Sequence, residues 1–304
     1  MSAQPGLTLR PVHSTTHAKP DFESVDRSLQ CSYSPSSDGV DSNLLILFHG
    51  LGDTSRPFAQ LGSSLKLPQT AVLSLQAPQR VPLLDEEAWQ WWESFDSLGE
   101  RTSPFSSLAS VRPRIADLPH FSLRLPNSVI SNPNPSSALS LLLKALAHLT
   151  TVCAWHPSQL HFFGFAQGAS VAGELALLHS RHRPAEEHLG SVVAVSGGLL
   201  SHPTVEEGKR AATKVCLVYR KGEDRVVSAS SWRKGFREVR EVKLEAGRGR
   251  EGMPRGMDEW REIMRFWSEV LERKSALERG GNVYELAGGM AAAQAAGARP
   301  PAAQ

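Results

Sequence analysis

The sequence predicts an α/β chain: a mostly parallel, twisted sheet with helices on both faces. Three observations carry this. Apolar runs of five or six residues, the kind buried on both faces of parallel sheets, alternate with longer stretches of helical periodicity. The runs end at short loops rich in Gly, Ser and Asp, as βαβ units require. Finally, 304 residues with 40% hydrophobic and 21% charged side chains can bury a full core.

The first strand is Asn43 to Phe48, NLLILF, which stops at His49-Gly50-Leu51-Gly52-Asp53-Thr54. A short helical pattern follows (Phe58, Leu61, Leu65), then a strand from Ala71 to Leu75. Residues 97–135 are rich in Ser, Pro and Arg without periodicity, and are expected as an irregular insertion over the sheet's active-site side. A helix from Ser136 to about Val152 shows Leu139, Leu142, Leu143 and Leu146 on one stripe. The strand Gln159 to Phe163 runs into Gly164-Phe165-Ala166-Gln167-Gly168 and a helix marked by Val171, Leu175 and Leu178. Strands at Ser191–Val195, Val215–Tyr219 and about Val239–Leu244 complete the sheet. The last helix carries Trp260, Ile263, Met264, Trp267, Val270 and Leu271, with Asp258 and Glu259 in a first turn that suits the helix dipole.

Residues 1–40, polar and rich in Ser and Pro, are expected as a disordered arm. Residues 41–274 form the domain, and the Ala/Gly/Pro-rich stretch 275–304 reads as a flexible tail. The net charge of +2 implies no nucleic-acid partner; the basic stretch Arg248, Arg250, Arg255 reads as a solvated loop. Cys31, Cys153 and Cys216 are far apart with no CxxC and no metal-ligand spacing, which fits a reducing compartment. No cofactor is called for. There is no apolar segment of signal-peptide character at the N-terminus and none long enough to span a membrane, so the default location is the cytoplasm.

The strand–Gly164-Phe165-Ala166-Gln167-Gly168–helix segment has the frame of a nucleophile elbow, G-x-S-x-G, with Ala166 where serine would stand. A glycine-bounded strand–helix turn would look the same from the pentapeptide alone. Three further segments occur in order, each after a strand: HGLGD at His49–Asp53, Ser196-Gly197, and Gly222-Glu223-Asp224-Arg225-Val226-Val227. Together the four resemble the small carboxylesterase, phospholipase and acyl-protein thioesterase family of α/β-hydrolases, from about Asn43 to Arg273. The resemblance implies the α/β-hydrolase fold, an oxyanion hole from the backbone amides of Leu51 and Gln167, and Asp224 as the acid that orients a histidine.

The histidine itself is missing. The last of the 11 histidines is His202, upstream of Asp224, whereas this fold places the histidine after the acid. The family's Gly-x-Gly-His loop matches Gly247-Arg248-Gly249-Arg250, which puts Arg250 in the base position; a shift of one residue puts Glu251 there. Arginine keeps its proton and cannot act as a base. Ser170 lies one helical turn past Ala166 and is expected as a packing residue, Ser196 is usually structural in the family, and His49 could reach the pocket but supports the oxyanion loop in the family. The aromatic cluster Trp89, Trp91 and Trp92 is expected as core and sheet-edge packing, with Trp92 as a candidate wall of a ligand pocket in the alternative reading.

The expectation is therefore a pseudohydrolase whose old pocket binds a small acyl- or ester-like ligand or a protein partner. The alternative is an active hydrolase or lyase using the oxyanion hole with a non-serine mechanism, in which Asp224, Glu251 or His49 handles protons. Family membership alone would also attract a carboxylesterase label, since a fold does not settle function.

Overall fold

The computed structural model describes residues 8–11, 17–82, 87–94, 134–201, 210–223, 227–246, 252–275 and 284–287. It divides into two compact units, one of residues 17–272 and one joining residues 1–16 to 273–304. In the second, β1 (Thr8–Pro11) pairs antiparallel with β11 (Tyr284–Ala287).

The larger unit is built on a seven-stranded sheet in the order β10-β9-β8-β7-β3-β4-β2. Its strands are β2 (Cys31–Ser34), β3 (Asn43–Phe48), β4 (Thr70–Leu75), β7 (Leu160–Phe165), β8 (Ser191–Val195), β9 (Lys214–Arg220) and β10 (Val239–Leu244). All pair in parallel except β2, which runs antiparallel on the edge, Cys31 opposite Leu75 and Ser34 opposite Val72. The mostly parallel sheet is thus as expected.

Alternation along the strands sorts side chains to two faces. Leu44, Ile46 and Phe48 meet the face covered by α2 (Ser136–Thr151), α3 (Gln167–His182) and α4 (Ala229–Gly235). Leu45 and Leu47 meet the face covered by α1 (Ser55–Ser64) and α5 (Gly256–Val270). In α5 the buried stripe is Ile263, Phe266 and Trp267, continued by Leu271 just past its end. Met264, expected on that stripe, is 36% exposed, because Phe266 is one helical turn behind Ile263 and draws the apolar face away from it.

Strand order reverses between β3 and β7: from β3 the chain steps to β4 on one side, then returns to β7 on the other. In open α/β sheets the carboxyl ends of strands at such a switch point leave a crevice where ligands bind. Both the HGLGD loop and the Ala166 turn leave the sheet there.

The larger unit begins at His17, and residues expected as a loose arm contribute the edge strand β2 and the buried anchors Phe22 and Leu29. A four-residue edge strand with two exposed positions gives little apolar signal. Two short strands, β5 (Gln79–Arg80) and β6 (Trp89–Gln90), form a separate antiparallel ladder. Most of the insertion expected at 97–135, and most of the tail from 275, lie outside the described residues.

Candidate functional site

The turn between β7 and α3 is centred on Ala166, at φ 49° and ψ −113°. For a residue with a Cβ this region costs about 1–3 kcal/mol and persists only where the surroundings over-determine it. They do so here. The Ala166 amide donates to the Val195 carbonyl at 2.9 Å, and its own carbonyl accepts from Ala169 and Ser170 at 3.1 and 3.2 Å. Space is set by glycine: a Cβ on Gly164 would lie 2.4 Å from the Gly168 carbonyl oxygen, and one on Gly168 would lie 2.2 Å from that of Phe48. Gly197, after β8, closes the third side, where a Cβ would meet the Ala166 carbonyl at 2.6 Å.

The loop after β3 is held by His49, which is fully buried. Its Nδ1 donates to the Gly50 carbonyl at 2.8 Å, while Nε2 accepts from the Ala77 amide and the Gln76 side chain, both at 3.0 Å. That arrangement requires the neutral ring, and burial lowers its pKa to about 4. The same loop is stitched to β6: the Gly52 amide donates to the Trp89 carbonyl at 2.9 Å and Trp91 Nε1 to the His49 carbonyl at 2.8 Å.

Gln167, the first residue of α3, joins these parts through its side chain. Its Oε1 accepts from the Trp91 amide at 3.0 Å and its Nε2 donates to Ser94 Oγ at 2.7 Å. Its backbone N–H, at the first helical position, belongs to the set with no partner inside the helix, at the positive end of the dipole. Such a donor suits a developing or resident negative charge.

Across the turn, Ser196 follows β8 at φ 53° and donates its hydroxyl to Glu223 at 2.9 Å. The Arg220 amide donates to the same carboxylate oxygen at 3.1 Å. The Arg220 guanidinium, almost fully buried, makes a two-pronged pair with Glu259 at 2.9 and 2.8 Å and also donates to the carbonyls of Glu245 and Met253. It therefore ties together the two shoulders of segment 247–251. Gly252 packs on Ser196 and Phe165, where a Cβ would meet Ser196 Oγ at 2.2 Å. At Gly252 the chain is thus back beside the Ala166 turn.

The structure brings Leu51, Ala166 and Gln167 to one end of the sheet, where the strand order reverses. His49 and Trp92, expected as pocket walls, are both fully buried; Trp92 belongs to the core, and His49 has both ring nitrogens engaged. Ser170 is buried in α3, its hydroxyl 3.4 Å from the Ala166 carbonyl oxygen, consistent with a packing role. Asp224, Arg250 and Glu251 lie outside the described residues. Residue patterning did not single out the Gln167 side chain, Glu223 or Arg220. The only signal for any of them was an arginine closing the apolar strand KVCLVYR.

At the turn the chain presents a methyl group, and the hydroxyls of Ser170 and Ser196 are both engaged, with the Ala166 carbonyl and the Glu223 carboxylate respectively. No group of three or more potential metal ligands occurs among the described residues, and no described helix is long and apolar enough to cross a membrane.

A phospholipase/carboxylesterase family model matches residues 32–106. An uncharacterized hydrolase of Mycosarcoma maydis is 34% identical over 259 residues, covering 84% of this chain and 86% of the relative. An uncharacterized hydrolase of Schizosaccharomyces pombe is 31% identical over 163 residues, 52% of this chain and 54% of that protein. Among solved structures, esterase PE8 superposes with a TM-score of 0.56 at 22% identity, covering 80% of this chain and 99% of its own. Zea mays acyl-protein thioesterase 2 does so with a TM-score of 0.52 at 17% identity over the same shares. The two structures share the fold; the Mycosarcoma relative, together with the family model, carries the assignment. The chain belongs to the phospholipase/carboxylesterase family of α/β-hydrolases.

Proposed function

We propose that this protein is a pseudohydrolase: it keeps the frame of a carboxylesterase or acyl-protein thioesterase and binds a small acyl-like ligand or a protein partner there without serine chemistry. Ala166 takes the nucleophile position, the amides of Leu51 and Gln167 form the oxyanion hole, Asp224 takes the acid position and Arg250 the histidine position. The observation that carries the reading is the strained, glycine-enclosed turn at Ala166, a geometry that serves to present a nucleophile and here presents a methyl group. Loss of a triad member costs about 10⁴–10⁶ in turnover, and two are replaced here. A base without a nucleophile has no use, so the two replacements agree with each other. The backbone donors are unaffected by either change, which supports retained binding.

The test is turnover of short-chain acyl esters and thioesters by the purified protein. The reading expects rates at the buffer background, and measurable turnover after Ala166→Ser combined with Arg250→His. Rapid turnover by the unaltered protein would overturn it.

A further inference from the structure

The two amides assigned to the oxyanion hole stand on different elements, Leu51 in the loop after β3 and Gln167 at the start of α3. Neither finds an acceptor among the described residues. Such donors polarise a carbonyl only when both meet the same oxygen at about 2.7–3.1 Å, so the loop and the helix must be held in register. Backbone packing supplies one constraint. A Cβ on Gly168 would meet the Phe48 and His49 carbonyls at 2.2 and 2.5 Å, which sets how closely α3 approaches the end of β3. It does not set the path of the chain beyond His49, where Leu51 lies.

A second constraint runs through residues 89–94. On one side they hold the HGLGD loop. The Trp89 carbonyl accepts from the Gly52 amide at 2.9 Å, the Trp89 amide donates to the Asp53 carbonyl at 3.3 Å, and Trp91 Nε1 donates to the His49 carbonyl at 2.8 Å. These bonds bracket Leu51. On the other side the same residues are tied to α3 by one side chain: Gln167 Oε1 accepts from the Trp91 amide at 3.0 Å, and its Nε2 donates to Ser94 Oγ at 2.7 Å. Ser94 is itself anchored, its amide donating to Gln90 Oε1 at 3.1 Å. Gln167 is 3% exposed, and Trp91 and Ser94 are buried with it. The carboxamide is therefore engaged inside the protein and does not face a ligand. A buried amide that loses its acceptor is strongly penalised, which makes the tie stiff.

We propose, on the pseudohydrolase reading of this crevice, that the Gln167 side chain is a positioning residue. Through Trp91 it sets where the Leu51 amide stands relative to the amide of Gln167 itself, and so keeps the polarising geometry of the site without a nucleophile. One residue contributes a donor by its backbone and aligns the second donor by its side chain. This accounts for a polar residue at a buried position of α3, where an apolar one would pack without needing partners.

An ester that binds here without turning over reports the donors through its own carbonyl. The probe is ethyl butyrate, isotope-labelled at the carbonyl, followed by infrared difference spectroscopy on the full chain. In the unaltered protein a bound population is expected with its carbonyl band moved to lower frequency. Gln167→Met keeps the side-chain length, loses both hydrogen bonds, and should cut that displacement by about half or more. Trp91→Phe, which loses the bond to the His49 carbonyl, should cut it to a similar degree, and the two together should do little more than either alone. Ser94→Ala, the mildest break, should cut it less, and thermal melts verify which variants remain folded. A purely structural glutamine would lower the melting temperature without moving the band. A displacement unchanged in folded Gln167→Met or, if that variant unfolds, in Ser94→Ala would overturn the proposal and leave Gly168 packing to align the donors. Additive losses in Gln167→Met and Trp91→Phe would overturn it too, since the two would then act separately. No displaced band in the unaltered protein would overturn the reading of the crevice itself, and the proposal with it.

Discussion

The two loops that leave the sheet at the crevice are held by opposite means. The HGLGD loop is fixed by a side chain, His49, which spends both ring nitrogens on neighbouring backbone and Gln76. The Ala166 turn is fixed mainly by backbone, through main-chain hydrogen bonds and glycines that allow neighbouring chains within contact distance. The difference means that the shape of this turn does not depend on the side chain at its centre. It also shows why a histidine near the site is not a spare base, since protonating Nε2 would remove the acceptor for two donors.

If packing of backbone on backbone shapes the turn, Gly168→Ala should have the largest effect. Its new Cβ would meet the Phe48 and His49 carbonyls at 2.2 and 2.5 Å, and main chain cannot swing aside, so a loss above about 3 kcal/mol is expected in chemical denaturation. A loss below about 1 kcal/mol would show that the close approach is not needed. His49→Ala should cost about 2–4 kcal/mol, because it leaves the buried Ala77 amide unpaired and opens a cavity.

Acid probes the histidine loop without mutation. His49 and His161 titrate near 6.5 when unfolded and are pushed by burial to about 4 and about 3 in the fold. The unfolded chain therefore binds protons first. Stability is complete above about pH 6.5 and falls as pH drops through 6 toward 4. The fall amounts to about 3 kcal/mol from each histidine by pH 4, because a tenfold difference in proton affinity between the two states is worth about 1.4 kcal/mol. His49→Gln should flatten part of that fall; a profile level between pH 7 and 4.5 would contradict the neutral-ring assignment.

The smallest expected effects sharpen the contrast. Ala166→Gly should stabilise by about 1 kcal/mol, as the strain of a Cβ at φ 49° is relieved. Gly52→Ala, at φ 79° with open space around it, should cost only about 1 kcal/mol. A destabilising Ala166→Gly would mean that the alanine methyl itself holds the turn.

The parallel strands and the elbow were legible because burial on both faces writes continuous apolar runs, and because close backbone approach demands glycine at fixed positions. The edge strand at Cys31–Ser34 was not, since one partner strand and half-exposed side chains leave no periodic signature. The site's polar scaffolding was legible only in part. Leu51 and Gln167 could be placed from the motif frame, but the bridge from Gln167 to Trp91 and Ser94 spans over seventy positions. The Arg220–Glu259 pair joins the end of a strand to a helix 39 residues later. Side-chain pairs that exist only after the sheet has formed carry no local pattern. Trp92 carried two readings for a related reason: a tryptophan beside a site looks the same in sequence whether it faces the pocket or the core.

Intact mass measurement after incubation with a fluorophosphonate tests the central claim most directly, since the reagent phosphonylates activated serine without requiring a particular substrate. The account predicts an unchanged mass. A stoichiometric adduct mapped to Ser170, Ser196 or any other residue around the Ala166 turn would contradict it.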